Sequence, residues 1–266
     1  MPVIRIAEAD DPRIREYRNV PDGDLMRRHG LFVAEGRLVV SRLLETTHAL
    51  KSLLLNESAF AGLQHALIRV PHDVPVYVTG SRELTSIVGF DLHRGCLALA
   101  ERPREQSVAD VIAGRRLLLL LEGLTDADNV GGAYRNAAAF GVEAVVLSPS
   151  CCDPLYRKAI RTSMGSALCL PTARAAHWPA ELSTVRSAGF EIVALTPAAD
   201  AIDISSYVRP PDRALALLVG SEGPGLSAEA QTFCTARVRI CMRPGIDSLN
   251  VATATGIALH RLALIP

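Results

Sequence analysis

The chain has 266 residues, 28 basic against 28 acidic side chains, and is 49% apolar with only 5% aromatic residues. This length allows one large domain or two modest ones. Zero net charge weakens any argument from bulk charge for nucleic-acid binding, so such a partner would need local positive potential. No apolar run reaches the roughly 18 residues that span a bilayer, and residues 1–11 have no basic-then-apolar signal pattern; the expectation is a cytoplasmic α/β protein with no membrane contact.

Near the start, Leu31-Phe-Val-Ala-Glu35-Gly36 leads into 37–46, where Leu38, Val39, Leu43 and Leu44 recur at helical spacing. Short apolar runs follow at 52–55, 66–70 and 74–78, then a short helix from Ser81 and a closing strand over 96–100. Residues 1–100 thus read as a compact α/β module with its own core. The stretch 101–114, opening Glu-Arg-Pro-Arg-Glu-Gln-Ser, interrupts the apolar pattern and reads as a linker. Residues 115–266 form a second domain. Its leucine run at 116–121 predicts a strand buried on both faces. A loop with Asp126, Asp128 and Asn129 comes next, and Gly131 and Gly132 allow a tight turn into a helix over about 131–140. Strands are predicted at 142–147, 191–195, 214–219 and 238–242, and helices at 155–161, 178–188 and 250–264. This alternation argues for a parallel-rich sheet covered by helices on both faces.

The six cysteines are Cys96, Cys151, Cys152, Cys169, Cys234 and Cys241. None forms a C-x-x-C pair, and the vicinal Cys151-Cys152 suits neither a metal site nor a stable bridge. Reduced, mostly packed thiols and no structural metal are expected. Arg13, Arg15, Arg18, Arg27, Arg28, Arg157, Lys158 and Arg161 are the candidates for local positive potential, or else ordinary solvated surface charges.

Three blocks carry chemistry, each placing polar side chains beside glycines after an apolar run. The first, Asn129-Val-Gly131-Gly-Ala-Tyr-Arg135-Asn136, offers an amide and a guanidinium fork suited to phosphate; an Asx cap and a surface arginine would leave the same residues. The second, Gly220-Ser-Glu222-Gly223-Pro-Gly225-Leu226, lacks both the Gly-Lys-[Ser/Thr] of a P-loop and the G-x-G-x-x-G spacing. Its Glu222 is suited to orient a hydroxyl or hold a cationic group, and Ser227 to cap the next helix ahead of Glu229. The third runs from Ile240 through Gly245 to Ser248-Leu249-Asn250-Val251. Ser248 and Asn250 open the last helix, as ligand groups together with exposed N–H groups or as a plain N-cap. The small residues from Val251 onward permit close helix packing.

In order and spacing, these blocks resemble the three motifs of the SPOUT RNA methyltransferases, most closely the TrmH (SpoU) branch. The resemblance covers about 115–264 and includes Ser163-Met-Gly165-Ser-Ala; Phe32-Val-Ala-Glu35-Gly36 is similar to the start of the L30e-like substrate-binding module attached to many such enzymes. The resemblance implies an α/β sheet with a trefoil knot at its carboxyl end, an exception to the rule against knots. It implies S-adenosyl-L-methionine bound by Leu195, Thr196, Gly220, Ile240 and Leu249, without a metal. Asn129, Arg135, Glu222, Ser248 and Asn250 would serve substrate and catalysis. It further implies a homodimer and methylation of a ribose 2′-hydroxyl, with ribosomal RNA favoured over transfer RNA by the L30e-like module. Tyr134, Asn136, Ala252 and Thr253 depart from the common family residues. A catalytically silent RNA-binding homologue is the competing expectation; a nucleotide-dependent oxidoreductase would need a glycine fingerprint that Gly131-Gly132 does not supply.

Overall fold

The computed structural model describes residues 1–18, 22–88, 95–210, 212–243, 245–246 and 248–263. Pro244 and Asp247 of the third block, and Leu264 of the predicted last helix, lie outside these. The chain begins with β1 (Val3–Arg5), a 3-10 turn at Pro12–Tyr17, α1 (Asp22–His29), β2 (Leu31–Glu35), α2 (Arg37–Leu43) and β3 (Leu50–Asn56). Then come α3 (Glu57–Gly62), α4 (Gln64–Leu67), β4 (Val76–Thr79), α5 (Ser81–Val88) and β5 (Cys96–Glu101). Next are α6 (Val108–Ile112), β6 (Leu117–Glu122), α7 (Ala127–Ala139), β7 (Ala144–Leu147), α8 (Arg157–Thr162) and β8 (Thr172–Arg174). The remainder is α9 (Leu182–Ser187), β9 (Phe190–Leu195), β10 (Ile202–Asp203), β11 (Ala214–Gly220), α10 (Ala228–Thr232), β12 (Ala236–Arg239) and α11 (Val251–Leu262).

Contacts divide the chain into Met1–Arg104 with Leu155–Cys169, and Glu105–Pro154 with Leu170–Pro266. The first unit is a mixed sheet in the order β1-β4-β3-β5-β2, with β5 antiparallel to both of its neighbours. Alternate side chains of each strand enter opposite faces, as the strand period of two requires. Phe32, Leu53, Leu55, Val76 and Val78 pack with Val39, Val40 and Leu43 of α2. Val33, Leu54, Tyr77, Leu97 and Leu99 pack with Ile14, Tyr17 and Leu25 on the other face.

Residues 155–169, expected inside the second domain, fold into the first unit instead. Leu155, Ile160 and Leu168 complete the α2 side of its core. Polar contacts hold the segment there. Arg157 donates to Asp22 from its backbone N (2.8 Å) and its Nε (2.6 Å). Arg42 Nη1 donates to the Met164 carbonyl at 2.7 Å, and His48 Nε2 to the Leu168 carbonyl at 3.1 Å. Gly165 has φ +87° and sits against Arg42 Cδ, where a Cβ would come within 3.2 Å. The glycine of the Ser163–Ala167 stretch is therefore demanded by local backbone geometry.

The expected linker 101–114 is shorter than its composition suggested. Ser107 caps α6, and Val108, Val111 and Ile112 are buried one helical turn apart in the second core. Apolar spacing of i, i+3 and i+4 outweighs the charged lead-in.

The second unit is a seven-stranded parallel sheet in the order β10-β12-β9-β11-β6-β7-β8. Every residue of β6 is buried. Leu118, Leu120, Val146, Ile192 and Leu218 pack towards α6, α9 and α10, while α11 packs on β11 and against α7. Helix α7 begins four residues earlier than expected, because Asp126 caps it by accepting from the Asp128 and Asn129 backbones. Gly131 and Gly132 consequently sit inside the helix and form no turn. A Cβ on Gly132 would lie 2.6 Å from Ala252 Cβ, and Asn136 Nδ2 donates to the Ala252 carbonyl at 2.6 Å. The close crossing with α11 explains Gly132, a residue that otherwise weakens a helix interior. Strand β12 ends at Arg239, so Ile240 lies just beyond it, and of the predicted helix 178–188 only Leu182–Ser187 is helical. Run 66–70 is the end of α4 and a turn.

Candidate active site

Parallel strands direct their carboxyl ends, and the loops after them, to one edge of the sheet, the usual ligand edge of open α/β folds. After β9, β11 and β12 these loops, with the start of α11, enclose a cavity of about 350 Å³; small-molecule sites run from ~300 to 1,000 Å³. Leu195, Val219, Leu226, Ile240, Met242 and Leu249 give it apolar walls, and Thr196, Ser221, Glu222 and Ser248 a polar edge.

The loop after β11 folds back on itself. Gly223 (φ +88°) and Gly225 (φ +69°) are left-handed, and Gly225 N donates to the Ser221 carbonyl at 3.2 Å. Any Cβ on Gly220 would overlap the Gly225 carbonyl carbon. Only glycine at 220 lets this turn close.

Leu195, Thr196, Gly220, Ile240 and Leu249, the five expected cofactor residues, all line this cavity. Of the expected polar set, Glu222 and Ser248 line it as well. Asn250 is the N-cap of α11: its Oδ1 accepts from Ala252 N (3.0 Å) and Thr253 N (3.2 Å). Its Nδ2 donates to Asn129 Oδ1 at 2.8 Å and to Glu222 Oε1 at 3.2 Å. Glu222 Oε1 also accepts from Val251 N at 3.2 Å, a carboxylate at the positive end of a helix dipole. Asn250 thus serves both as the plain cap and as the link between the first and second blocks.

Among the described residues, this network leaves Asn129 Nδ2 and Glu222 Oε2 without a protein partner. Arg135 stands apart. It is exposed on α7, does not line the cavity, and has no ion pair or hydrogen bond among the described residues.

One buried acid at the same edge of the sheet escaped the sequence reasoning. Glu122, the last residue of β6, is a carboxylate only 9% exposed. It accepts from Trp178 Nε1 (2.8 Å), Ser227 Oγ (2.7 Å) and Ser227 N (3.0 Å). Ser227 also caps α10, as expected, by accepting from Ala230 N. The signal was an acid closing a run of buried leucines, a position that requires donors.

Burial pushes the thiol of Cys96 up to about 12 and those of Cys152 and Cys234 to about 11, so all three stay protonated. Cys169 and Cys241 are exposed, while the other four cysteines are buried or half-buried, in keeping with mostly packed thiols. Between the wall residues Ile240 and Met242, the Cys241 thiol donates to Asp203 Oδ2 at 2.8 Å. That bond, with those from Ser205, holds Asp203 at about 2. No group of three metal-ligating side chains occurs among the described residues, and none of their helices is long and apolar enough to cross a membrane. Arg13, Arg15, Arg27, Arg28 and Arg161 each lie within 4.0 Å of a carboxylate, the pattern of paired surface charges, while Arg157 pairs with Asp22 in a half-buried tie.

Comparison with known proteins agrees with this geometry. The family model described as "SpoU rRNA Methylase family" matches residues 116–260. An uncharacterized tRNA/rRNA methyltransferase of Mycobacterium tuberculosis is 42% identical over 260 residues, 96% of this chain and 90% of that protein. A 23S rRNA (guanosine-2′-O-)-methyltransferase RlmB of Burkholderia is 32% identical over 180 residues, 66% of this chain and 72% of that protein. The crystal structure of an AdoMet-bound rRNA methyltransferase from Sinorhizobium meliloti superimposes with a TM-score of 0.84 at 25% identity, covering 97% of each chain.

Proposed function

The chain belongs to the SpoU rRNA methylase family, and on that footing we propose that it transfers the methyl group of S-adenosylmethionine to a ribose 2′-hydroxyl of ribosomal RNA. As a family member it is an S-adenosylmethionine-dependent RNA methyltransferase with a SPOUT-type α/β fold. The ribose position, the preference for ribosomal over transfer RNA, the homodimer, the cytoplasmic location and the individual residue roles are our reading. The observation that carries it is the convergence of the five expected cofactor residues on one cavity, beside the linked Asn129, Asn250 and Glu222.

The cavity fits S-adenosylmethionine by size and by chemistry. Apolar walls suit a nucleoside face, and the surrounding loop backbone provides hydrogen-bonding groups. When bound, the cofactor supplies a sulfonium methyl that is electrophilic without a metal. Leu195, Thr196, Gly220, Ile240 and Leu249 hold the cofactor and exclude water. Asn250 keeps Glu222 and Asn129 in register, while Asn129 Nδ2, Glu222 Oε2 and Ser248 Oγ orient the ribose.

Arg135 holds the nucleotide phosphate and polarises the hydroxyl. A guanidinium with a pKa above about 12 is a poor base, so the proton leaves through phosphate or water. Because Arg135 is exposed and does not line its own chain's cavity, a second copy completes the site. The same reading runs the family's knot through the loops around the cavity, and gives residues 1–100 the L30e-like role of gripping RNA.

The test incubates purified protein with methyl-labelled S-adenosylmethionine and total RNA from a strain lacking the gene, then fractionates the RNA and digests it. Label in a 2′-O-methylated nucleoside of the ribosomal fraction is expected; label in transfer RNA corrects the substrate. Cofactor binding without transfer points to an assembled particle as substrate, and neither binding nor transfer to a silent RNA-binding homologue.

A further inference from the structure

Glu122 does not line the cavity, and the chemistry above does not use it. A carboxylate this buried is costly unless its lone pairs are met. Here three neutral donors meet them, two from Ser227 and one from Trp178. Ser227 directly follows Leu226, which with Gly225 forms part of the cavity wall. Upstream, among the described residues, the loop is tied to itself between Ser221 and Gly225, and to Asn250 and Val251 at the start of α11 through Glu222. Its downstream end is held to the sheet by Glu122, at the strand position paired with Gly220.

We propose that Glu122 is a positioning residue for cofactor binding, clamping Ser227 so that Leu226 and Gly225 close against the ligand. This rests on the methyltransferase reading. A simple structural tie would lower stability alone; a positioning role also weakens the cofactor site while sparing RNA recognition.

The experiment measures S-adenosylhomocysteine affinity by calorimetry, together with methyl transfer at varied cofactor and varied RNA, in the full chain. In Glu122→Gln the new NH2 faces an N–H that can only donate whichever way the amide turns, Trp178 Nε1 at one position and the Ser227 backbone at the other. The Kd for S-adenosylhomocysteine and the KM for cofactor should rise about tenfold or more, as one opposed donor implies. The KM for RNA should stay unchanged. Ser227→Asp keeps the α10 cap but sets a carboxylate against Glu122, and should behave like Glu122→Gln. Ser227→Thr keeps hydroxyl and cap, and should bind as the unaltered protein does.

Unaltered affinity in Glu122→Gln and Ser227→Asp overturns the proposal and leaves the methyltransferase reading intact. Loss of folding in both assigns Glu122 a structural role and overturns it too. If the unaltered protein neither binds the probe nor transfers methyl, the methyltransferase reading itself falls, and this inference with it.

Discussion

In the first unit, polar side chains that reach far along the chain end on backbone or ion-pair partners: Arg157 on Asp22, Arg42 on the Met164 carbonyl, His48 on the Leu168 carbonyl. All three secure one excursion of the chain. In the second unit, beside structural ties such as Arg209 to the Leu262 carbonyl, one long-range polar network lies at the carboxyl ends of the strands, where Asn250 bonds Asn129 and Glu222 yet leaves Asn129 Nδ2 and Glu222 Oε2 without a partner among the described residues. The same residue types therefore do two jobs. Where such groups end on backbone and ion-pair partners, the network fixes structure. Where donors and acceptors remain over beside a cavity, they have the disposition that a ligand site requires.

The comparison breaks most readily by removing residues 1–104. The remaining 105–266 would carry Leu155, Ile160 and Leu168 without the core they enter. At about 1.5–3 kcal/mol for each large apolar side chain exposed, the fragment should melt ~10 °C or more below the full chain, or aggregate. A circular-dichroism melt at the full chain's temperature would show that the excursion does not depend on the first unit.

Arg135→Ala sharpens the comparison from the other side. With no partner among the described residues to lose, it should leave Tm nearly unchanged while turnover falls ~100-fold, the scale of losing one group that stabilises a transition state. Near-normal single-turnover rates with unchanged RNA binding would remove Arg135 from the chemistry.

Gly132→Leu tests whether the α7–α11 crossing sets the link between Asn129 and Asn250. Overpacking there should cost about 1–3 kcal/mol and weaken S-adenosylhomocysteine binding alongside Tm. A fall in Tm with full affinity would separate the crossing from the site.

The smallest effect concerns pH. Burial lowers the pKa of His48 below 6.5, outweighing its bond to Leu168. The unfolded chain then takes up this proton at a higher pH than the folded one. Its contribution to stability is present above about pH 6.5 and is lost as pH falls through the lowered folded value. Tm measured between pH 7.5 and 5 should decline more steeply in the unaltered protein than in His48→Gln; parallel curves would refute this.

Much of the site was legible because its parts are local. Gly220, Glu222, Ser248 and Asn250 follow apolar runs, and strand ends are where an α/β sheet binds ligands. Glu122 was missed because it looks like the end of a leucine strand until Trp178 and Ser227, 56 and 105 residues away, are brought to it. Gly132 was misread for a similar reason: its need is Ala252, on a helix far along the chain.

By itself the sequence determined the alternation of strand and helix in residues 115–266, the burial of the Leu117–Leu121 run, the Ser227 cap, and the glycines of the loop after β11. These depend on periodicity and on groups a few residues apart, which covalent connection already holds close. Only the tertiary structure decided that residues 155–169 join the first unit, that β12 lies between β10 and β9, and that Asn250 meets Asn129 across 121 residues. Those outcomes depend on which apolar surfaces remain uncovered once neighbouring elements have packed, a property of the assembled core that no short window of sequence contains.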